Sequence, residues 1–470
     1  MALDQRADPR SAAIIGRVAR PLPVGVAAPV APLGLWRSYR TARRNILELI
    51  PAQAYHEPIL RGGRGAGWVM LQDPPWLEHV LKTREANYPK SVVTKRILRP
   101  REGENLLTIE GAEWRWQHRA MTPMFQRRAI ENQVPAMAAA GVAATDRLVA
   151  ASRSGKPVDL YPEMVTATCD VICDVALSGR ETLDRDAITE GISAFIRHVA
   201  RLSLLDLMGA PRWIPRPGQL INRQAARIDS MIDGIIATRR ANGASKPPDL
   251  LDMLIASEDP ETTQRMDAVT LRNNLMALIV AGHETTALAL TWALYLIAFD
   301  TAEGGDLQER LAAEAAPLAE RPATAKDIRA LSLTRQVLQE ALRLYPPAGF
   351  MTRDAREADT IAGGAVQPGA TVILPIYAVH RHQALWEDPL AFVPERFAEG
   401  TPAHRYAYLP FGAGPRVCIG MQFALIEAQA ILATIVSRLS ISLPEGFVPE
   451  PRMWFTLRPA TGMPLILRPR

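Results

Sequence analysis

The sequence predicts a mainly α-helical protein with a small β region, folded as one domain. Three observations carry that expectation. Apolar residues recur at helical spacing through most of the chain. One run, 275–299, carries a single acidic charge, Glu284, and a helix that apolar must be buried on nearly every side. Short strand-like runs lie near both ends, and no loop has the length or composition of a domain linker.

Residues 1–35 read as a flexible N-terminal extension and 36–470 as the domain. The first twenty residues are charged and polar, and Pro21, Pro23, Pro29 and Pro32 follow; prolines so placed exclude a helical anchor or signal core. The pattern then turns helical over 37–50. Residues 58–61 and 68–71 flank a glycine-rich turn, Gly62 to Gly67, and read as a hairpin. Helical spacing follows over 74–86, 112–122, 127–153, 163–179, 186–206, 219–242 and 268–299. It continues over 305–317, over 333–345, where Pro346 and Pro347 stop it, and over 421–439 after Gly420. Apolar runs at 371–374 and 464–468 complete the β region.

The chain has 470 residues, 48% of them hydrophobic, and a net charge of +5. Only six of its 54 basic residues are Lys and the basic excess is dispersed, so nucleic acid is not an expected partner. Three cysteines exclude a disulfide framework and fit a reducing compartment. Cys169 and Cys173 share a helix face with no further ligand type nearby, which reads as core filling. The run 275–299 could span a bilayer by length. His283-Glu284-Thr285-Thr286 near its centre argues against that, because charge in lipid is expensive. A soluble, cytoplasmic monomer without a membrane anchor is expected.

The most informative segment is Phe411-Gly-Ala-Gly-Pro-Arg-Val-Cys-Ile-Gly420. Gly412, Gly414 and Gly420 permit backbone conformations and close approaches that a Cβ would block. The helix after Gly420 would turn its positive end toward the Cys418 sulfur and favour the thiolate. A thiolate held under a flat cofactor is what haem iron requires for O–O cleavage. Phe411, Gly414, Arg416, Cys418 and Gly420 resemble the haem-binding loop of the cytochrome P-450 family, F-x-x-G-x-R-x-C-x-G. The resemblance covers nearly everything from Trp36 onward and implies the family fold, with haem b as cofactor and Cys418 as axial iron ligand.

Further motifs match that family. Ala281-Gly282-His283-Glu284-Thr285-Thr286 resembles its oxygen-activation sequence. Ala277, Ala281 and Thr285 recur at i+4, giving a narrow face of small residues and then a hydroxyl. Such a face leaves room for O2 over a haem. Thr285 can bond back to the carbonyl four residues earlier, and Glu284 supplies an acid that relays protons. Glu340-Ala-Leu-Arg343 and Pro394-Glu-Arg-Phe397 resemble the E-x-x-R and P-E-R-F elements. The resemblance makes Glu340, Arg343 and Arg396 a buried structural triad. Trp114 and His118 resemble the W-x-x-x-R propionate pair with His in place of Arg, a substitution that weakens the charge pairing and makes haem affinity pH-dependent. Arg353 and Arg416 match the other propionate contacts. His380 and His382 fall in a structural segment. Pocket walls are expected from 91–110, 188–225, the 277–285 face and 348–351, with Ala277, Ala281, Phe350 and Met351 against substrate.

The function these residues imply is an external monooxygenase with Glu284 and Thr285 as catalytic residues. It would insert one atom of O2 into an apolar substrate. Electrons would come from NAD(P)H through a reductase and a ferredoxin or flavodoxin, because no flavin or iron–sulfur segment is visible in the chain. A basic face of Arg115, Arg119, Arg127 and Arg128 is the expected dock for an acidic donor. Glu284 and Thr285 argue against a peroxide-using or rearranging enzyme, and nothing resembles the output domain of a haem sensor.

Overall fold

The computed structural model describes residues 21–30, 34–63, 65–95, 103–177, 222–245, 248–400 and 404–470. Its main helices are α1 (Leu35–Arg44), α2 (Gly111–Met121), α3 (Val134–Ser152), α4 (Leu160–Leu177), α5 (Ala268–Ala302), α6 (Ser332–Leu344) and α7 (Met421–Arg438). Between α4 and α5, helical residues run over Asn222–Asn242 and Leu250–Ala256, and the expected helix at 186–206 lies outside the described residues.

The helix α5 is the axis of the protein. Leu288, Leu290, Trp292, Leu294 and Leu296 are each fully buried on it, so it is covered around its whole circumference. It packs chiefly against α4, while α3 packs against α7. At that second crossing Gly141 is the residue that permits contact: a Cβ there would stand 3.3 Å from the Ile431 Cα. Among the described residues α3 and α5 are long and apolar enough to cross a bilayer, but 72% of the α5 window is buried inside the protein. The sequence-based reading of 275–299 as a core helix agrees with that placement.

The largest sheet has four strands, β1 (Ile59–Gly62), β2 (Trp68–Leu71), β3 (Met351–Asp354) and β4 (Thr371–Leu374), in the order β1-β2-β4-β3. β2 and β4 are parallel, with Met70 opposite Ile373, and Arg353 lies opposite Val372 across the antiparallel β3–β4 pair. β5 (Leu439–Ser442) pairs with the C-terminal β8 (Pro464–Pro469), and β6 (Pro451–Met453) with β7 (Leu457–Pro459). The hairpin Asp359–Ile361 with Gly364–Val366 carries no clear apolar run and was not anticipated from sequence.

Several boundaries differ from the sequence reading, each for a local reason. The helix expected over 37–50 stops at Arg44. Asn45 adopts an extended backbone (φ −158°) and its side chain bonds instead to the Pro451 carbonyl at 2.9 Å and the Met453 N–H at 3.0 Å. The span 127–153 breaks after Glu131 and restarts at Val134, with Pro135 in its first turn. Only Pro74–Glu78 of 74–86 is regular α-helix, followed by a wider, π-helical turn.

The expected flexible extension is not free over residues 21–30. Prolines leave its main-chain groups without local partners, and tyrosine hydroxyls of the core take them up. Tyr345 donates to the Val24 carbonyl at 2.6 Å, and the N–H groups of Val24 and Val26 donate to Tyr295 and Tyr377 at 3.3 and 3.0 Å. Buried main-chain groups need such partners.

Candidate active site

The Cys418 loop is built by main-chain bonds and two left-handed glycines. Gly412 and Gly414 both have φ +71°, and a Cβ on Gly414 would lie 2.0 Å from the Leu81 carbonyl oxygen. Only glycine fits there. The Cys418 N–H donates to the Phe411 carbonyl at 2.9 Å, and Met421 N–H to the Cys418 carbonyl at 3.3 Å. The Cys418 side chain is exposed, and it opens onto one large cavity of about 1500 Å³. Burial pushes its thiol up from the ordinary value, while the Gly420 N–H pulls the other way. Burial thus opposes the thiolate that the helix end favours, and a bound metal ion would shift the balance toward it.

Cations gather at the edge of the same cavity. Arg416 Nε pairs with Glu85 at 3.1 Å, and its guanidinium lies 3.8 Å from the Trp114 ring centroid. Arg353 is 8% exposed and donates to the Thr352 carbonyl at 3.0 Å. His118 stacks at a tilt on Trp114, 4.6 Å between centroids. Lys90, which sequence reasoning missed, donates to the Leu106 and Leu107 carbonyls and lines the cavity beside them. Burial first, then Arg416 and Arg353, pulls its amine down to about 7. Arg353, Arg416 and His118 are pulled down as well, each mainly by burial. Basic groups crowded together and partly desolvated in this way suit an anionic ligand. A cavity offering a sulfur on one wall and these cations at its edge fits a haem with its propionates.

Across the cavity stand the small residues of α5. Ala277, Ala281, Gly282, Glu284 and Thr285 all line it, as do Phe350 and Met351 at the start of β3. Thr285 Oγ1 donates to the Ala281 carbonyl at 2.8 Å, the back-bond expected of it, and α5 stays one continuous helix through this turn. Glu284 is buried, and its Oε1 accepts from Thr456 at 3.0 Å, Tyr161 at 3.4 Å and Arg458. None of these three partners was anticipated. The part of the expected pocket wall at 188–221 lies outside the described residues.

The scaffold behind the loop has the geometry expected of it. Glu340 and Arg343 are fully buried and form a two-pronged pair at 2.6 and 2.7 Å, and Arg396 Nε reaches Glu340 Oε1 at 3.0 Å. Arg343 also donates to the carbonyls of His380, Pro389 and Ala391 at 2.7, 2.7 and 2.8 Å. His380 links this triad to the chain leading into the Cys418 loop. Its Nδ1 donates to the Arg343 carbonyl at 3.1 Å and its Nε2 accepts from Leu409 N–H at 2.8 Å. His382 reaches the Glu57 carbonyl at 3.2 Å. Cys169 and Cys173 are buried in the core, as expected.

The basic face needs correction. Arg119 forms a two-pronged pair with Asp259 at 2.7 and 2.8 Å and also meets Glu261 at 3.2 Å. Arg127 pairs with Glu131 at 3.0 Å. Arg115 and Arg128 remain exposed.

A buried acid–hydroxyl helix facing a cysteine loop ringed by cations defines a haem-thiolate protein. A sequence profile of the Cytochrome P450 family matches residues 33–465, and the chain belongs to that family. A cytochrome P450 of Mycobacterium tuberculosis, cytochrome P450 132, is 30% identical over 422 residues, covering 86% of this chain and 89% of the relative. Cyclooctatin synthase of Streptomyces melanosporofaciens is 28% identical, covering 90% and 91%. A cytokinin hydroxylase of Arabidopsis thaliana is 27% identical, covering 78% and 72%. Family membership makes this protein a haem-binding monooxygenase.

Proposed function

We propose that the protein inserts one oxygen atom from O2 into an apolar small molecule and takes its electrons from NAD(P)H through a separate ferredoxin or flavodoxin and its reductase. The observation that carries this reading is the shared cavity. Cys418, the α5 face at Ala277, Ala281 and Thr285, and a wall of Leu, Ile, Met and Phe side chains all open onto it. Haem b would be the cofactor, and it supplies the activation of O2 when bound.

The chain's own residues divide the remaining work. Cys418 would hold the iron. Arg353, Arg416, Trp114 and His118, with Lys90 added to the expected set, would hold the propionates. Ala277 and Ala281 would leave space for O2 beside the cofactor, and Phe350 and Met351 would offer apolar contact to substrate. Glu284 would bring a proton to the cavity wall, and the Thr285 hydroxyl would orient it there. Arg115 and Arg128 give an acidic electron donor its docking charge. A cytoplasmic monomer is the form that fits a soluble donor.

The testing experiment has two arms. The ferrous CO complex should show a red-shifted Soret band that Cys418→Ser lacks; survival of that band in the variant refutes the ligand assignment. A screen of fatty acids, terpenoids, aromatics and steroids for a haem spin-state change then identifies the substrate class. A response only to charged, polar compounds refutes the apolar assignment.

A further inference from the structure

Glu284 is held from one side only. Its Oε1 accepts from three donors on two separate elements: Tyr161 near the start of α4, and Thr456 and Arg458 around β7. Arg458 also donates to Thr456 Oγ1 at 3.0 Å, so two of the three donors are bonded to each other as well as to Glu284. Among the described residues Oε2 accepts no hydrogen bond, and Glu284 is part of the cavity wall.

The strand that carries Arg458 is itself fixed. Leu457 N–H donates to the Pro347 carbonyl at 3.0 Å, and the Trp292 indole to the Leu457 carbonyl at 3.0 Å. Asn45 ties the partner strand β6 by two further bonds. Arg458 is therefore a rigid cation aimed at a buried acid that lies 174 residues away in sequence. A buried charge pair of this kind sets orientation more than it adds stability.

The geometry points to Arg458 as the positioning residue of the proton relay: it anchors Glu284 through Oε1 so that Oε2 alone serves the cavity. This rests on the reading of Glu284 as the proton-relaying acid. Thr456 lines the cavity and donates to the same oxygen, so a ligand against β6–β7 meets the clamp directly. Tyr161 is only partly buried and connects the clamp to the outside of α4. Removing Arg458 leaves a buried carboxylate without its cation. The carboxylate then loses the contact that aims Oε2 at the cavity, and delivery from Oε2 fails.

The test needs no identified substrate. Without one, the haem-loaded protein reduces O2 to peroxide (O2 + NADPH + H+ → H2O2 + NADP+) or to water (O2 + 2 NADPH + 2 H+ → 2 H2O + 2 NADP+). The second route needs the extra proton delivery. With NADPH, a plant-type ferredoxin and its reductase, Arg458→Met should raise peroxide formed per NADPH about twofold or more, and Arg458→Lys should largely restore it. Thr456→Val and Tyr161→Phe each delete one hydroxyl of the clamp and should move the ratio the same way by less, which keeps the test decisive should Arg458→Met fail to fold. A readout independent of turnover is the infrared carboxyl band of the resting protein, identified by its loss in Glu284→Gln; it should shift in Arg458→Met. Unchanged ratio and band in the Arg458 variant, with Glu284→Gln active in the assay, overturn the positioning role alone. If Glu284→Gln is also silent, both roles fall.

Discussion

The Arg416 guanidinium lies 3.8 Å from the ring centroid of Trp114, joining the Cys418 loop to α2. The stack fixes one face of the guanidinium, Glu85 takes its Nε, and the Ile109 carbonyl accepts from Nη1 at 3.2 Å. A planar cation so held is pre-organised for a carboxylate. Lysine could supply the charge without the stack or the fork.

Arg416→Lys should therefore fold and bind haem but release it faster, by about tenfold, in line with the 1–2 kcal/mol of a desolvated cation–π contact. Transfer of haem to excess apomyoglobin measures the rate. His118→Arg should slow release, because it restores a permanent cation where burial holds the imidazole below its ordinary value. Equal release from all three proteins would remove these residues from the cofactor site.

The parts legible in the sequence are those whose chemistry is local. The Cys418 loop, the turn at Thr285 and the Glu340–Arg343 pair each lie within ten residues of chain, so residue type and spacing suffice. Arg458 was not legible, since nothing in a strand ending at Pro459 marks an arginine as the partner of an acid on α5. The pairing of Arg119 with Asp259 spans 140 residues and was missed for the same reason. Asn45 shows the limit for secondary structure: its helical surroundings lost to two main-chain bonds with β6.

His380 gives the fold a pH dependence with a definite sign. Full burial and the neighbouring Arg343 hold its imidazole down to about 3. The unfolded chain takes up a proton near pH 6.5 that the folded protein refuses. Stability from this site is thus complete above about pH 6.5 and falls progressively as pH drops toward 3. Denaturant unfolding of the wild type and His380→Asn across pH 7 to 5 isolates the contribution. The variant should be less stable at pH 7 and lose less on acidification; parallel curves would exclude the site as the source.

Electron-donor docking should depend on Arg115 and Arg128 and not on Arg119. The Arg119 fork is already engaged by Asp259, which it holds well below the ordinary carboxylate range. Reversing Arg115 and Arg128 to Glu should slow reduction by an acidic ferredoxin about tenfold at low salt, and high salt should narrow the gap. Arg119→Gln should instead loosen the contact between α2 and the Asp259 turn, seen as lower thermal stability. Slower docking in Arg119→Gln with stability intact would reverse this assignment.

Thr285 should decide how oxygen is used more than whether it is consumed. Its hydroxyl donates to the Ala281 carbonyl at 2.8 Å, which leaves its lone pairs for a donor in the cavity. The neighbouring Glu284 is held from behind by Arg458, and the hydroxyl and the acid both line the cavity. Thr285→Ala keeps Ala277, Ala281 and Cys418 in place, and α5 loses no main-chain hydrogen bond. Haem content and the CO spectrum should therefore match the wild type. Proton delivery loses its guide, so peroxide per NADPH oxidised should rise several-fold. Thr285→Ser keeps the hydroxyl and should stay near the wild-type ratio. A wild-type ratio in Thr285→Ala as well would show that the hydroxyl plays no part in delivery and shift the relay wholly onto Glu284.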